Sequence, residues 1–168
     1  KLHKMFSVNG DKITNTEQIS NGFNNFFAKV GHNIAQEIPL SKKTAFDCLP
    51  LNPLPNSFFF FPTTCDETKT AILRLKNKSS FGYDGISSNF LKQTYKPILN
   101  VLVHVINVSF ASGIVPSKMK IAKVIPIYKN KEHNVFNNYR PISLLVVFSK
   151  VLERLVFNCL YAFCIKYK

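Results

Sequence analysis

The sequence predicts an α+β fold that is mostly helical and contains one long-tipped antiparallel β-hairpin. Two observations support this prediction. Apolar residues recur at helical spacings of three and four in several segments, and two β-branched apolar segments flank ten mainly polar residues, 129–138. At 168 residues, the chain is long enough to bury a hydrophobic core of ordinary size.

The first predicted element is a long amphipathic helix. Thr14 followed by Glu17 is a capping box, which indicates a helix N-terminus. The apolar face of this helix is formed by Ile19, Phe23, Phe26, Phe27, Val30, Ile34 and Ile38. Five of the nine prolines follow within residues 39–62 and predict an extended linker. Residues 1–38 are therefore predicted as an N-terminal linker helix region, 39–62 as a proline-rich linker and 63–168 as a third region.

The third region begins next to a run of four phenylalanines, Phe58 to Phe61. A buried extended segment and an exposed contact patch are both compatible with this run, and burial is favoured. Thr64 and Glu67 form a second capping box, which predicts another helix. Residues 79–88 contain two glycines and an aspartate and predict a tight turn.

Two more helices and the hairpin complete the predicted fold. Residues 89–95 indicate a short helix, and Pro97 suits the first turn of a longer helix that ends at Gly113. The hairpin strands are predicted at 121–128 and 139–147, joined by a mobile tip. A last helix is predicted from about Ser149, with apolar residues Val151, Leu152, Leu155, Val156, Cys159, Leu160 and Phe163.

Positive charge is confined to one part of the chain. Residues 1–68 contain six lysines and six acidic residues, whereas residues 69–168 contain thirteen lysines and three arginines against Asp84, Glu132 and Glu153. The whole formal net charge of +13 therefore belongs to the second part. Such an uneven charge is typical of a protein that binds a polyanion, although a lysine-rich solvated surface gives the same count.

Several standard sites are absent from the sequence. It contains no GxxxxGKS/T, GxGxxG or GxSxG motif, so neither a P-loop, a dinucleotide fold nor a hydrolase elbow is indicated. The four cysteines and four histidines show no metal-ligand spacing, and the cysteines are predicted to be reduced core thiols. No catalytic residue and no metal ligand is predicted.

No membrane partner is predicted either. The N-terminal residues lack the apolar run of a signal peptide. The most apolar segment, 98–115, contains Asn100, His104 and Asn107, whose side chains are costly in lipid, so a buried helix explains it better. An intracellular location is expected, with nucleus and cytoplasm both open.

The candidate functional residues are cations around the predicted hairpin. Lys118, Lys120 and Lys123 precede or enter its first strand, Lys129 and Lys131 lie at its tip, and Arg140 opens its second strand. An arginine fork can bind two phosphate oxygens, so a triphosphate would suit this group. The alternative is that Arg140 pairs with a carboxylate such as Glu153.

Three strings of the sequence resemble one enzyme family. LKNKSSFGYDGISSNFLK (75–92), SGIVPSKMKIAKVIPIYK (112–129) and FNNYRPISLLVVFSKVLERLV (136–156) resemble the N-terminal half of reverse transcriptases from non-LTR retrotransposons of the jockey and CR1 kind. The upstream string ISNGFNNFFAKVGHNIAQEI (19–38) is similar to the segment that precedes the polymerase in these elements. Phe81 stands where family members often have proline, and Lys131-Glu132 where they often have Gly-Asp.

The resemblance implies a partial right-hand polymerase in which this chain supplies the fingers subdomain. It places Lys129 and Arg140 on the incoming deoxynucleoside triphosphate (dNTP), and it places the segment around Lys76, Lys78 and Tyr83 on template RNA. Lys118, Lys120, Lys123 and Lys131 are expected to contact the template or the RNA/DNA hybrid.

The same resemblance implies that catalysis depends on residues outside this sequence. The aspartate motifs of the palm, which hold Mg²⁺ in the complete enzyme, are expected after Lys168, so the chain alone binds no cofactor and is expected to be inactive. The palm and thumb of the same polyprotein are its expected partners. The alternative is a decayed or domesticated element product that acts only as a nucleic-acid-binding or protein-interaction module.

Overall fold

The fold was analysed in a computed structural model that describes residues 5–8, 11–39, 43–44, 46–48 and 55–167. The chain forms two compact units: unit 1 comprises residues 1–53 and 124–142, and unit 2 comprises residues 54–123 and 143–168. The strands are β1 (Phe6–Val8), β2 (Asp11–Ile13), β3 (Ala122–Tyr128) and β4 (Tyr139–Leu145). The α-helices are α1 (Thr16–Glu37), α2 (Cys65–Leu73), α3 (Ser88–Ser112) and α4 (Val147–Lys166). Short 3₁₀ segments span Phe46–Cys48, Ser117–Lys120 and Phe136–Asn138.

Helix α1 begins one residue later than the predicted capping box requires. The side chain of Asn15 accepts hydrogen bonds from the backbone N–H groups of Glu17, at 2.9 Å, and Gln18, at 3.3 Å. Asparagine is at least as good an N-cap as threonine, so the adjacent Asn15 takes the position. The predicted cap at Thr14 is therefore wrong.

The core of unit 1 is an aromatic cluster. It consists of the buried residues Phe6, Ile19, Phe23, Phe136 and Tyr139. The Phe136 ring meets Phe23 edge-on at 4.6 Å and stacks on Phe6 at 4.9 Å between centroids. Phe6 is held in β1, where it pairs with Ile13 of β2 in antiparallel register. This small sheet was not predicted from the sequence.

Only the first half of α1 contributes to that cluster. Ile19 and Phe23 are buried, but Ile34 and Ile38 at the other end are 55% and 63% exposed. The predicted apolar face is therefore correct in its first turns and wrong in its last ones. Within the proline-rich linker that was predicted at residues 39–62, positions 40–42, 45 and 49–54 lie outside the described residues.

The core of unit 2 joins α2, α3 and α4. Its buried residues are Ala71, Ile72, Leu91, Tyr95, Leu102, Ile106, Val147, Val151, Leu152 and Leu155. The capping box predicted for α2 is confirmed: Thr64 accepts from the Glu67 backbone N–H, and the Glu67 carboxylate accepts from the Thr64 backbone N–H at 2.8 Å. This backbone hydrogen bond lowers the pKa of Glu67 below its ordinary value.

Helix α3 is continuous, whereas the sequence predicted a break before Pro97. A proline inside a helix removes one i to i−4 hydrogen bond and crowds the carbonyl of residue i−4. Gln93, which carries that carbonyl, and Pro97 are both exposed, so water can satisfy the freed group. Burial of Leu91 and Tyr95 before the proline and of Leu102 and Ile106 after it favours one uninterrupted helix. Gly113 ends the helix in a left-handed conformation, as predicted.

Among the described helices, none has the length and apolar character needed to span a bilayer.

Strands β3 and β4 form a two-stranded sheet, and α4 starts earlier than predicted. Strand β4 ends at Leu145 and α4 begins at Val147, in place of the predicted boundaries at Val147 and Ser149. Ser149 does not cap the helix, because its hydroxyl donates to the Met119 carbonyl oxygen. Val146 and Val147 are buried in the unit 2 core instead of extending the strand.

The phenylalanine run alternates between contact and exposure. Phe58 and Phe60 are half-buried, against Phe163 at 5.4 Å and Phe110 at 4.7 Å respectively. Phe59 and Phe61 are 61% and 67% exposed. An extended chain places successive side chains on opposite sides, which explains the alternation. The prediction that the phenylalanine run is buried is therefore wrong for two of its four rings, Phe59 and Phe61.

The described cysteines are free, but they are not core residues as predicted. Cys65 and Cys164 are exposed and Cys159 is half-buried. Burial, with a smaller contribution from the negative charge of Glu67, raises the pKa of the Cys159 thiol. The Cys48 side chain lies outside the described residues.

Candidate nucleic-acid interface

The tip of the β3–β4 hairpin, which belongs to unit 1, is a folded loop. Tyr139 Oη donates to the His133 carbonyl oxygen at 2.8 Å, and Asn138 Nδ2 donates to the Glu132 carbonyl oxygen at 2.8 Å. Tyr128 Oη also donates to the carbonyl oxygen of Lys131, and the Tyr128 ring stacks on His133 at 3.9 Å. Buried Phe136 holds the loop against the aromatic cluster. The polar residues of the tip thus bond to the loop's own carbonyl groups, and the mobility of the tip stays a prediction.

Lys131 occupies an unusual backbone conformation within this tip. Its φ angle is +70°, the left-handed region that glycine adopts without steric cost. The glycine that the resemblance leads us to expect at this position would adopt this turn without strain. The lysine side chain itself is exposed.

Lys129 and Arg140 share one face of the hairpin. The Lys129 N–H donates to the Asn138 carbonyl oxygen at 2.8 Å, which continues the pairing one residue beyond β3. The rings of Tyr128 and Tyr139 lie 5.5 Å apart and therefore occupy one face. Because side chains alternate along extended strands, the next residues, Lys129 and Arg140, point to the other face.

Both of these cations are available to a ligand. Lys129 and Arg140 are exposed. Within the described part of unit 1, Arg140 forms no ion pair, and its alternative pairing with a carboxylate such as Glu153 stays a prediction. Two uncompensated positive charges on one rigid face are a suitable receptor for phosphate oxygens.

A second group of predicted residues meets in unit 2. Tyr83 Oη donates to the Lys118 carbonyl oxygen at 3.1 Å, and Lys123 Nζ lies 5.4 Å from the centroid of the Phe81 ring. The side chains of all four residues are exposed, as is Lys120 on the same 3₁₀ segment as Lys118. We refer to Phe81, Tyr83, Lys118, Lys120 and Lys123 as the loop surface.

Gly82 fixes the position of this loop. A Cβ atom on Gly82 would lie 2.9 Å from the backbone nitrogen of Val146 and 3.0 Å from the Leu145 carbonyl carbon. Only glycine permits so close an approach of two backbones. The two aromatic rings that flank Gly82 are thereby presented to solvent beside the lysines.

Lys76 and Lys78 lie apart from the loop surface, at the start of α3. Ser88 Oγ donates to the Lys76 carbonyl oxygen at 2.7 Å and accepts from the Lys78 N–H at 3.1 Å. Both lysine side chains are exposed and line a groove with Arg74, Lys150 and Arg154. Arg74, Lys150 and Arg154 were not predicted as site residues, because α2 and α4 are distant in sequence. The spacing of four between Lys150 and Arg154 was the signal that could have identified these two residues.

The part of the chain that the structure describes contains no group of three or more His, Cys, Asp or Glu side chains able to hold a metal ion.

Comparison with known proteins gives the class of protein. No family model matches the chain. The putative 115 kDa protein in type-1 retrotransposable element R1DM of Drosophila melanogaster is 33% identical over 94 residues, which is 55% of this chain and 9% of that protein. The RNA-directed DNA polymerase from mobile element jockey of Drosophila funebris is 33% identical over 98 residues, 58% of this chain and 11% of the polymerase. The probable RNA-directed DNA polymerase from transposon BS of Drosophila melanogaster is 33% identical over 107 residues, 63% of this chain and 12% of that protein.

The chain thus spans about a tenth of the length of the curated relatives that it matches. Two of these relatives are named as RNA-directed DNA polymerases of mobile elements, and the third is named as a protein of a retrotransposable element. The resemblance found in the sequence is confirmed: the chain is related to a segment of the RNA-directed DNA polymerases of non-LTR retrotransposons, of the jockey-like kind.

Proposed function

We propose that this chain is the fingers-side part of an RNA-directed DNA polymerase of a non-LTR retrotransposon, and that it binds template RNA and the phosphates of the incoming dNTP. The observation that carries the proposal is the exposure of Lys129 and Arg140 on one hairpin face, in a chain that is similar over 98 residues to such a polymerase.

The hairpin suits a triphosphate for three physical reasons. Arg140 offers a planar fork that can bind two phosphate oxygens, and Lys129 adds a point charge. The tip is anchored to unit 1, since Phe136 and Tyr139 are buried in the aromatic cluster. A receptor held in place before binding loses little side-chain entropy when the ligand arrives.

The loop surface suits template RNA. Lys118, Lys120 and Lys123 can neutralise backbone phosphates, while the exposed rings of Phe81 and Tyr83 can stack on unpaired bases. Aromatic rings among lysines are typical of surfaces that bind single-stranded nucleic acid. Lys131 at the hairpin tip and Lys76 and Lys78 at the start of α3 would add further phosphate contacts.

Catalysis in the proposed enzyme requires a second component. Phosphoryl transfer needs carboxylates that hold two Mg²⁺ ions near the attacking and leaving oxygens. We propose that the palm of the same polyprotein supplies these carboxylates and that this chain binds and orients the RNA/DNA hybrid and dNTP beside them.

Neutralising two lysines of the loop surface tests the RNA part of the proposal. The double variant Lys118→Gln/Lys123→Gln should bind a short single-stranded RNA several-fold more weakly than the unmodified chain, because two phosphate contacts are lost. Fluorescence anisotropy with labelled RNA measures the dissociation constant. The matched control is Lys69→Gln/Lys96→Gln, which removes two exposed lysines outside these surfaces. Equal weakening by both variants would show a diffuse charge effect and contradict a defined RNA surface.

A second candidate function rests on an apolar groove in unit 2. The groove has a volume of about 430 Å³ and is lined by Phe58, Phe61, Phe163 and Tyr167 among others. Such a surface would suit the alternative of a protein-interaction module. That alternative predicts RNA binding that is weak and insensitive to the lysine substitutions above.

A further inference from the structure

A basic groove lies between the end of α2 and the side of α4. It has a volume of about 490 Å³ and is lined by Arg74, Lys76, Lys78, Lys150, Arg154 and Phe157. We call it the α4 groove. All of its residues belong to unit 2, and they come from residues 74–78, Ser88 and residues 150–157.

The charge of the α4 groove is strongly one-sided. Five cations face a single carboxylate, that of Glu153. Across the described residues, Glu153 forms no ion pair with these cations. Like charges that are held together without a partner repel each other, so an anionic ligand would relieve this repulsion.

The backbone beneath these cations is fixed. The buried Ser88 hydroxyl bonds to the backbone of both Lys76 and Lys78. Lys150 and Arg154 lie one turn apart on α4, and the neighbouring α4 residues Val147, Val151 and Leu155 are buried in the core. The charges are therefore presented at set positions.

An aromatic pair continues the groove along α4. Phe157 and Tyr161 stack with centroids 5.4 Å apart and an interplanar angle of 13°, although they are 52% and 55% exposed. The Arg154 guanidinium lies 5.8 Å from the centroid of the Phe157 ring. Lys150, Arg154, Phe157 and Tyr161 follow spacings of four, three and four, so they form one stripe about 16 Å long.

We propose that the α4 groove and the Phe157/Tyr161 pair bind a single-stranded stretch of nucleic acid, with phosphates on the five cations and bases stacked on the two rings. This inference rests on the proposed function and adds to it a surface distinct from the loop surface and the hairpin. An acidic peptide could pair with the cations, but it would leave two exposed, nearly parallel rings without a planar partner, whereas a base provides one. Helix α4 is then a ligand-binding element as well as a structural one.

Removing the cations and removing the rings are expected to change RNA binding in different ways. Lys150→Gln/Arg154→Gln should weaken binding of a labelled single-stranded RNA and reduce the slope of log affinity against log salt by about 1.4, which is 0.7 for each lost contact. Phe157→Ala/Tyr161→Ala should weaken binding about tenfold and leave the slope unchanged, because stacking releases no counterions.

Matched controls exist for both variants. Lys69→Gln/Lys96→Gln removes the same charge elsewhere, and Phe46→Ala/Phe90→Ala removes two other exposed rings. Neither control should change affinity or slope. Groove variants that match their controls would overturn the proposal.

Lysine footprinting on the unmodified 168-residue chain avoids any folding defect in the variants. Saturating single-stranded RNA should protect Lys150, Lys76 and Lys78 from acetylation and leave Lys96 reactive. If RNA protects Lys118 and Lys123 but not Lys150, the α4 groove is excluded while the proposed function stands. If RNA protects none of them, the proposed function fails as well.

Discussion

Replacing Arg140 with alanine in a full-length enzyme that carries this sequence should raise the KM for dNTP by about tenfold or more. A hydrogen bond to a charged group contributes about 1.5–3 kcal/mol, and each 1.4 kcal/mol corresponds to a factor of ten. The exposed position of Arg140 indicates that its loss removes a ligand contact without disturbing a core. Steady-state incorporation at varied dNTP and saturating template measures the effect, and template affinity should change much less.

The control for this experiment removes a positive charge from the same unit. Lys29 is exposed on α1, and Lys29→Ala should leave both kinetic constants unchanged. Arg140→Lys should recover part of the loss, since a lysine keeps the charge without the planar fork. An unchanged KM in Arg140→Ala would remove the role assigned to the hairpin.

Replacing Gly22 with alanine should destabilise the aromatic cluster of unit 1. The added Cβ atom would lie 2.5 Å from Cζ of Phe136, a ring that is itself packed between Phe6 and Phe23. Overpacking of this kind costs about 1–3 kcal/mol, which exceeds the gain of about 0.5–1 kcal/mol from placing alanine in a helix. Urea unfolding followed by circular dichroism should therefore show a lower midpoint.

Gly31 on the same helix provides the opposite expectation. Nothing lies within 4 Å of a Cβ atom built there, so Gly31→Ala keeps only the helix-propensity gain. Its free energy of unfolding should increase by about 0.5–1 kcal/mol. If both substitutions changed the free energy of unfolding in the same direction, that result would contradict the close packing of Gly22 against the Phe136 ring.

The strongly local features of this fold could be predicted from the sequence. The reciprocal Thr64 and Glu67 hydrogen bonds involve residues three apart, and Gly113 ends α3 because it accepts a left-handed conformation. The small β1–β2 sheet was missed, although the Asn9-Gly10 pair between its strands is a known hairpin signature.

Other features depend on contacts that no local pattern encodes. Pro97 stays inside α3 because residues on both sides of it pack in one core. The hairpin tip is held in place because Phe136 packs against Phe6 and Phe23, which are distant in sequence. For the candidate site, the cations of the hairpin were identified from sequence, but Arg74, Lys150 and Arg154 join Lys76 and Lys78 only through tertiary packing. Charge composition indicated the ligand class, and the fold was needed to group the charges.

The most direct test of the proposed function is the salt dependence of RNA binding by the unmodified chain. Its affinity for single-stranded RNA should fall steeply with salt, with a log-log slope of roughly −3 or steeper, as expected when several cations each neutralise a phosphate. A slope near zero would mean that the cations of the hairpin, the loop surface and the α4 groove do not contact phosphates, and it would contradict the assignment of this chain as a nucleic-acid-binding part of a polymerase.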